Sequence, residues 1–541
     1  MKKTVLVFFL VLLCTGGCRK NTDAALTLER TAAGAREGVY YSLFVRSFAD
    51  SNGDGVGDLA GLTQKLDYLN DGSDDTDADL GVTGLWLLPI FPSPSYHGYD
   101  VTDYCSINPE YGTMADFEKL IAEADKRGIS IILDLPCNHS SIEHPWFQAS
   151  KNPQDPHRRW YYWLEDEAAA ASQGVSLEKQ VWGHRLWNKT QGGYYAGLFD
   201  TGMPDFDLTE PAVREALKEA AAFWLKKGVA GFRLDAAAHV FNSNKIPAGR
   251  NGLADSLDWW QDFAAFCRTV KPDVYLVAEV WDTASTRAAY LPALNSNFHF
   301  DLGTVITDTI RSGKAGKNNL AKMLYGDYLV YRTVNPDYID APFLTNHDQN
   351  RIGGMLRGDP RLLKLAASLY ILNEGIPFLY YGEEIGMMGA KPDEQLRTPF
   401  LWTKKGASDA ADPLQTSWIE SKYNAKTLSL AEQTKTSDSL VSHYRTLIRL
   451  KTGVPVLLRG RMEPLDTGHG AIVSYTMNHH RDTAFIVHNV SDSPVEFSLP
   501  EPVRNYRLFY ASEKNTQQEA QHITLAPRSS AVFTQESAQQ K

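Results

Sequence analysis

Residues 209–235 of the sequence read TEPAVREALKEAAAFWLKKGVAGFRLD. Apolar residues recur at helical spacing over the first part, Thr209 stands where a helix N-cap is expected, and Gly228 ends the pattern. The last seven residues, 229–235, are a buried β-type run that finishes on an acidic side chain, Asp235. The stretch predicts a helix followed by a strand, with a carboxylate at the end of the strand.

Similar units recur along the chain. Strands are predicted at residues 39–48, 83–90, 129–135, 229–235, 274–279, 298–302, 341–346 and 377–381. Eight strands with helices between them indicate either a closed barrel or a doubly wound sheet. Asp134, Asp235, Glu279 and Asp348 each stand at or just beyond the end of a different strand. Because those ends meet on one face of a barrel, the acidic residues favour a (β/α)₈ TIM barrel.

The domain organisation follows from changes in pattern. Residues 140–207 interrupt the barrel with a Trp- and Tyr-rich stretch that is too long for a simple loop, and they predict an inserted domain B after strand 3. The barrel is assigned to residues 37–139 and 208–453. Residues 454–541 carry short alternating strands, which predict a C-terminal all-β sandwich domain.

The N-terminus has the pattern of an export signal. A basic start and a short apolar run make residues 1–17 a signal peptide, and Cys18 follows a pair of small residues as in a bacterial lipobox. We expect lipidation of Cys18, a tether over residues 18–36, and an exported lipoprotein of the cell envelope, on the outer membrane at a periplasmic or cell-surface face. The alternative is a plain secretory signal with an incidental Cys18.

Charge and cysteine content narrow the function. The net charge is −11 without a basic patch, which argues against nucleic-acid binding and leaves a neutral substrate plausible. Cys105, Cys137 and Cys267 form neither a disulfide framework nor a metal-ligand spacing, and we expect them to be buried. The oligomeric state stays open.

One glycine-rich loop has oxygen-bearing residues at every second position, as Ca²⁺ ligands do in the EF-hand loop. The predicted ligands are Asp50, Asn52, Asp54, the carbonyl of Val56, and Asp58. The terminal Glu of an EF-hand is absent, since Gly61 takes its place. A structural Ca²⁺ is the first interpretation, and a turn without an ion is the alternative.

Several motifs resemble those of the α-amylase family, glycoside hydrolase family thirteen, in family order over nearly the whole mature chain. The main ones are DLPCNH (134–139), GFRLDAAAH (231–239), VAEVW (277–281) and FLTNHD (343–348). Subsidiary ones are YHGYDVTDY (96–104), MPDFDL (203–208) and YYGEEIG (380–386).

The resemblance implies a role for each matching residue. Asp235 would be the nucleophile, Glu279 the general acid/base and Asp348 the transition-state stabiliser, with Arg233 paired to Asp235. Further substrate-binding positions are Tyr99, Asp100, His139, His239, His347 and Arg397. A second Ca²⁺ site of many α-amylases matches Asn138, Asp205 and the carbonyl of His239, and this site is left open.

The residue types also suit the chemistry on their own. Glycoside cleavage needs one protonated and one ionised carboxyl group. Arg233, two residues before Asp235 on a strand, points to the same side and is expected to lower the pKa of that carboxylate. Apolar neighbours of Glu279 would raise its pKa. With the family mechanism, the two carboxyls lie about 5 to 5.5 Å apart and the anomeric configuration is retained.

Fewer residues indicate the substrate preference than indicate the catalytic roles. Ala236 follows the nucleophile where α-1,6-acting relatives commonly have Val, which favours cleavage of α-1,4 bonds in starch or maltodextrins. The resemblance is strongest to the intermediary α-amylases, between the oligo-1,6-glucosidase and neopullulanase subfamilies, although Asp207 departs from both. The alternatives are an α-glucosidase, a cyclomaltodextrinase, neopullulanase or oligo-1,6-glucosidase-like enzyme, a transglycosylase, and a non-catalytic glucan-binding lipoprotein.

Overall fold

The computed structural model describes residue 28 and residues 34–74, 76–246, 249–316, 319–404 and 411–535. Cys18, the signal peptide and most of the predicted tether lie outside these residues. Within them, no helix is long and apolar enough to cross a membrane.

Eight parallel strands form one sheet that closes into a barrel, so the predicted fold is confirmed. In chain order they are β1 (Tyr40–Leu43), β2 (Gly84–Leu87), β3 (Ser130–Pro136), β4 (Gly231–Asp235), β5 (Tyr275–Ala278), β6 (Asn295–Phe298), β7 (Ile339–Ala341) and β8 (Phe378–Tyr380). From β1 to β7 each strand pairs with the next, and β8 pairs with β1. A single parallel bridge between Phe343 and Phe378 closes the ring between β7 and β8.

Helices surround the strands and bury one face against them. Those of the barrel with at least ten residues are Met114–Asp125, Pro211–Lys226, Gly252–Val270, Ala284–Leu294, Leu302–Ser312, Leu320–Val334, Pro360–Ile371 and Leu440–Gly453. Shorter ones are Leu59–Gln64, Leu66–Leu69, Ile352–Met355, Leu430–Gln433 and Pro455–Arg459. The first residue of β4, Gly231, must be a glycine, because a Cβ there would lie 1.8 Å from the carbonyl oxygen of Tyr275 on β5.

Several predicted boundaries were wrong by a few residues. β1 ends at Leu43, where the chain turns into a 3₁₀ helix. β7 ends before Pro342, which has no N–H to donate to the sheet. β6 starts at Asn295, whose left-handed backbone (φ +68°) also ends the preceding helix. Thr209 is not the helix N-cap. The helix begins at Pro211, so Glu210 takes the N-cap position, and Pro211 has no N–H group that would need a partner.

The B subdomain, residues 140–207, is built around its own aromatic side chains. It contains helices Pro145–Ser150 and Glu167–Ser172, and strands Trp163–Leu164, Gln180–Val181, His184–Arg185, Trp187–Thr190 and Gly193–Ala196. The ring of Phe147 lies 5.2 Å from that of Tyr161, 5.5 Å from Trp163 and 4.9 Å from Tyr195. Much of the aromatic content predicted from sequence therefore forms the core of this subdomain.

The C-terminal domain consists of two antiparallel sheets. One has five strands, in the spatial order Arg461–Pro464, Ile472–His479, Asp482–Asn489, Ser530–Thr534 and Arg507–Ala511. The other has three, in the order Val495–Ser498, His522–Leu525 and Gln517–Glu519. A separate cluster of buried residues, including Phe485, Phe497 and Phe533, lies among these strands. The β-rich C-terminal domain is confirmed.

The three cysteines within the described residues are free, and they differ in exposure. Cys137 and Cys267 are buried, whereas Cys105 is exposed in a turn, where its N–H donates to Asp103. The prediction of burial was wrong for Cys105, because that turn lies on the surface.

Candidate active site

The predicted catalytic side chains meet at the carboxyl ends of the barrel strands. Asp134 lies on β3, Arg233 and Asp235 on β4, and Glu279 directly after β5. Asp348 follows β7 in a loop. These positions are on one face of the barrel, because the carboxyl ends of parallel strands all point the same way.

A single buried guanidinium, that of Arg233, pairs with three carboxylates. Its Nη1 lies 2.7 Å from Oδ1 of Asp134 and 2.6 Å from Oδ1 of Asp235. Its Nη2 lies 2.6 Å from Oε2 of Glu279. The predicted pair between Arg233 and Asp235 is present, but the guanidinium is shared.

This sharing changes the expected electrostatics. Burial raises the pKa of Asp134 to about 7 and also raises the pKa of Asp235 and Glu279, while Arg233 opposes each shift. Arg233 lowers the pKa of Asp235 as expected, but burial is the larger effect, so the net shift of this pKa is upward. The upward shift of the pKa of Glu279 is the direction that a general acid requires.

Asp348 is set apart from that cluster. Burial alone would raise its pKa, but contacts to His347 and Arg397 lower it far below the usual range. His347 Nε2 lies 3.0 Å from Oδ2 of Asp348, and Nη2 of Arg397 lies 3.0 Å from Oδ1. Since burial lowers the pKa of His347, Arg397 supplies the permanent positive charge. Asp348 is therefore ionised.

Tyr99 and Asp134 form hydrogen bonds that hold neighbouring side chains of the site in place. The Tyr99 hydroxyl donates to Oδ2 of Asp134 at 3.0 Å and lies 2.6 Å from Nε2 of His347. The Tyr99 ring stacks on the imidazole of His347, with centroids 5.6 Å apart. The indole of Trp86 also donates to Asp134, at 3.2 Å. Asp134 thus holds neighbouring groups in place.

Asp100 lies apart from the carboxylates. Its Oδ1 accepts hydrogen bonds from the hydroxyls of Ser93 and Ser95 and lies 3.8 Å from Nδ1 of His97. These contacts hold the 93–100 loop that carries Tyr99.

His139 and His239 line a second side of the site together with aromatic rings. The ring of Phe199 lies 5.5 Å from His139 and 5.6 Å from His239, and Trp182 lies 5.3 Å from His239. Burial lowers the pKa of both histidines to about 4, so they are neutral at pH 7. Nε2 of His139 is buried without a hydrogen-bond partner among the described residues, which suits a sugar hydroxyl.

Sequence reasoning did not single out Phe199 or Trp182 for the site. Trp182 is 60% exposed at the tip of a hairpin, where its backbone is left-handed (φ +50°). No sequence signal separates these rings from the core rings of the B subdomain.

Ala236 connects the end of β4 to Glu279. Its backbone is left-handed (φ +48°), and its N–H donates to Oε2 of Glu279 at 2.8 Å. A small residue without a β-branch adopts this conformation at a lower cost than Val does. The position that suggested linkage preference therefore also positions Glu279.

An ammonium group stands between two of the residues matched to a second Ca²⁺ site. Nζ of Lys245 donates to Oδ1 of Asn138 at 2.6 Å and lies 3.2 Å from Oδ1 of Asp205. All three side chains are buried. Burial lowers the pKa of Lys245, while Asp205 opposes that shift. The amino group of Lys245 thus contacts both side chains that the second Ca²⁺ site would use.

Lys245→Ala is expected to destabilise the protein by about 3–5 kcal/mol, because it leaves the buried carboxylate of Asp205 without an opposite charge. Thermal unfolding would show a lower midpoint. Lys179→Ala, which removes a half-buried lysine that donates to Asn244, serves as the control and should have a much smaller effect. An unchanged midpoint for Lys245→Ala would contradict the assignment.

The 50–58 loop is folded by its own side chains. Asp50, Asn52 and Asp54 each accept a hydrogen bond from the N–H two residues ahead. Asp58 instead accepts from Gly61 and caps the following helix. Within the described ranges, no three His, Cys, Asp or Glu side chains converge on a metal position. These successive turns make the loop curl, and the side chains of Asp50, Asn52 and Asp54 lie along it.

Comparisons with known proteins agree with this geometry. Residues 42–460 match the family model described as Alpha amylase, catalytic domain, and residues 472–532 match Alpha-amylase SusG C-terminal domain. Alpha-amylase 3 of Dictyoglomus thermophilum is 40% identical, covering 92% of this chain and 93% of that protein.

Two further relatives are similar over most of their length. 4-alpha-glucanotransferase of Thermotoga neapolitana is 30% identical over 84% of this chain and 96% of its own. The crystal structure of alpha-amylase from H. orenii superposes with a TM-score of 0.83 at 39% identity, covering 93% of this chain and all of that one. Together with the carboxylates at the barrel mouth, these matches show that the chain belongs to the α-amylase family of glycoside hydrolases.

Proposed function

We propose that the protein hydrolyses α-1,4-glucosidic bonds of α-glucans and retains the anomeric configuration. The observation that carries this proposal is the division of the carboxylates into two environments. Asp235 and Glu279 share the guanidinium of Arg233, and burial raises the pKa of Glu279, whereas Asp348 is kept ionised by Arg397. Two carboxyls bonded to one guanidinium are close together, as in a retaining pair.

The reaction follows from these roles. Glu279 donates its proton to the glycosidic oxygen, the carboxylate of Asp235 bonds to C1, and the bond between C1 and the leaving oxygen breaks. Glu279 then takes a proton from water, whose oxygen bonds to C1 and releases Asp235. The negative charge of Asp348 stabilises the positive charge that develops on the sugar in both steps.

Substrate preference is tested by product analysis. The protein should cleave starch and maltotriose but not isomaltose, and proton NMR should show α-anomeric products first. Failure to cleave any α-1,4 substrate would contradict the proposal. Cleavage of isomaltose at a comparable rate would assign the chain to the α-1,6-acting alternative.

Glycosyl transfer is a second candidate function, favoured by the exposed Trp182 beside His239. A sugar ring stacked on this indole would be an acceptor held next to the reacting bond. The name of the Thermotoga neapolitana relative, 4-alpha-glucanotransferase, agrees with this possibility. Products longer than maltotriose, formed from maltotriose, would support it.

Export and lipid anchoring are part of the same proposal. Cys18 follows an apolar segment and two glycines, the pattern of a lipoprotein signal. Metabolic labelling with a radioactive fatty acid should mark the full chain, and Cys18→Ala should abolish the label and release the protein from membranes. A label retained in Cys18→Ala would contradict this assignment.

The 50–58 loop is proposed to bind one structural Ca²⁺ through Asp50, Asn52, Asp54, Asp58 and the carbonyl of Val56. The alternating oxygen-bearing residues and the curled loop support this proposal. Such an ion would bind only the folded chain and so stabilise it.

Chelation with EDTA should lower the unfolding midpoint, and added Ca²⁺ should restore it. Asp54→Ala should remove this response, whereas Asp466→Ala, which breaks a similar turn in the C-terminal domain, should keep it. A midpoint that does not respond to EDTA would show that hydrogen bonds alone hold the loop.

A further inference from the structure

Two loops at the carboxyl ends of neighbouring strands meet in an aromatic stack. Trp281 follows β5, two residues after Glu279, and Phe300 follows β6. The two rings are nearly parallel, with centroids 4.7 Å apart and an angle of 15° between their planes. Phe300 is buried, whereas Trp281 is 54% exposed. The stack therefore presents one aromatic surface to solvent, close in the chain to Glu279.

The surroundings of this indole indicate which sugar it would contact. In the proposed reaction Glu279 protonates the leaving oxygen, so the groups that adjoin it lie on the side of the leaving sugar. Burial and Lys245 lower the pKa of His239, and Asp282 opposes them, which places the carboxylate of Asp282 near that imidazole. A flat, exposed indole can pack against the C–H face of a pyranose ring. Trp281 thus lies where the leaving part of an oligosaccharide would rest.

A buried guanidinium, that of Arg287, joins the two loops. Arg287 lies on the helix that follows β5. Its Nη1 donates to the carbonyl oxygen of Asp282, the residue after Trp281. The same Nη1 donates to Oδ2 of Asp301, the residue after Phe300, at 3.0 Å. One nitrogen atom therefore holds the chain beside each of the two stacked rings.

The other nitrogens of this guanidinium are held by a buried network of charges. Nε donates to the hydroxyl of Tyr331 at 2.7 Å, and Nη2 lies 3.5 Å from Oδ2 of Asp327. The same oxygen of Asp327 lies 3.2 Å from Nε2 of His299, whose Nδ1 lies 3.0 Å from Oδ2 of Asp340 on β7. Burial opposes a charge on His299, but Asp340 and Asp327 raise its pKa to about 9. Arg287 is thus fixed on every side, and so are the loops that it joins.

We propose that Arg287 is a positioning residue that holds the Trp281–Phe300 surface in place for the leaving part of an α-glucan chain. This inference rests on the proposed hydrolase function, which defines the leaving sugar. The side chain of Arg287 is 1% exposed, so it acts through the two loops and not by touching substrate. Its removal should weaken the reaction of substrates that have a sugar beyond the cleaved bond, and of those alone.

The test compares two substrates. Maltopentaose places sugars on both sides of the cleaved bond, whereas an aryl α-maltoside with an activated phenol has no sugar on the leaving side. For Arg287→Ala, kcat/KM for maltopentaose should fall about 5- to 10-fold, the loss expected for one aromatic contact. kcat/KM for the aryl maltoside should stay within about twofold, because that leaving group needs neither the indole nor a proton. Equal losses on the two substrates would overturn the proposal.

A double-variant cycle tests whether Arg287 acts through the indole. Trp281→Ala should show a similar loss on maltopentaose, and adding Arg287→Ala to it should cause no further loss. Losses that multiply would overturn the proposal.

A milder variant keeps the test decisive if Arg287→Ala does not fold. Asp301→Ala removes a side chain that is 56% exposed and frees the Phe300 loop from Arg287. It should lower kcat/KM for maltopentaose by about 2- to 3-fold, and for the aryl maltoside not at all. Unchanged maltopentaose kinetics in Asp301→Ala would count against the proposal in the same way as equal losses in Arg287→Ala.

Arg332→Ala is the matched control. It also removes a guanidinium paired with a buried carboxylate, that of Glu374 at 2.9 Å, but Glu374 precedes β8 at the amino-terminal end of the barrel. Both variants should lower the unfolding midpoint, and only Arg287→Ala should change the ratio of the two kcat/KM values. If the parent protein cleaves neither substrate, the proposed function fails and this inference falls with it. If the parent cleaves both and the ratio stays constant in Arg287→Ala, only the inference fails.

Discussion

Asp235→Ala should lower kcat for maltotriose by at least about 10⁴-fold, since removing a group that bonds to the reacting carbon removes the covalent route. Asp235 is buried and lies against Arg233, so its loss also leaves a space beside C1 of a bound sugar. Glu279→Ala should slow the same substrate comparably, because the leaving oxygen then receives no proton.

Azide distinguishes the two roles. With an aryl α-maltoside whose leaving group needs no proton, azide should restore activity to both variants. In Asp235→Ala, azide enters the empty space and attacks from the face opposite the leaving group, giving the β-glycosyl azide. In Glu279→Ala, the ester on Asp235 still forms, and azide then gives the α-glycosyl azide. Products with the opposite configurations would exchange the two assignments.

Arg233→Ala should be the second large effect. It leaves Asp134, Asp235 and Glu279 buried with like charges and no cation, which should cost about 3–5 kcal/mol of folding free energy. Activity should fall by at least about 10³-fold as the carboxylates lose their common anchor. Circular dichroism and thermal unfolding would measure the stability, and maltotriose hydrolysis the activity.

The stability loss should depend on pH. Burial raises the pKa of Asp235 and Glu279 above the unfolded values, so the folded state binds protons more tightly. Such a group favours folding at low pH, and this advantage is lost as pH rises from the unfolded pKa to the folded pKa. Removing the guanidinium raises both pKa values further.

The deficit of Arg233→Ala should therefore be larger at pH 8 than at pH 5. Arg233→Lys retains one positive charge but cannot reach all three carboxylates, and it should show a smaller deficit. A deficit that is equal at both pH values would contradict the electrostatic explanation.

Much of the fold could be predicted from local sequence. Period-3.6 and continuous apolar runs mark helices and buried parallel strands, and the acidic residues at strand ends distinguish a barrel from an open sheet. The pairing of Arg233 with Asp235 was also within reach, because side chains two apart on a strand point to the same side. Boundaries were missed where a single backbone conformation decides them, as at Asn295 and Pro342.

The sequence by itself therefore determined the barrel, the order of its strands and which carboxylates meet at its mouth. Only the tertiary structure decided that Arg233 serves three carboxylates, that Lys245 stands between Asn138 and Asp205, and that Arg287 joins the loops of Trp281 and Phe300. These features depend on contacts between residues far apart in the chain, brought together by packing. A pattern of local spacing carries no information about such contacts, because burial and charge pairing are set by the whole fold.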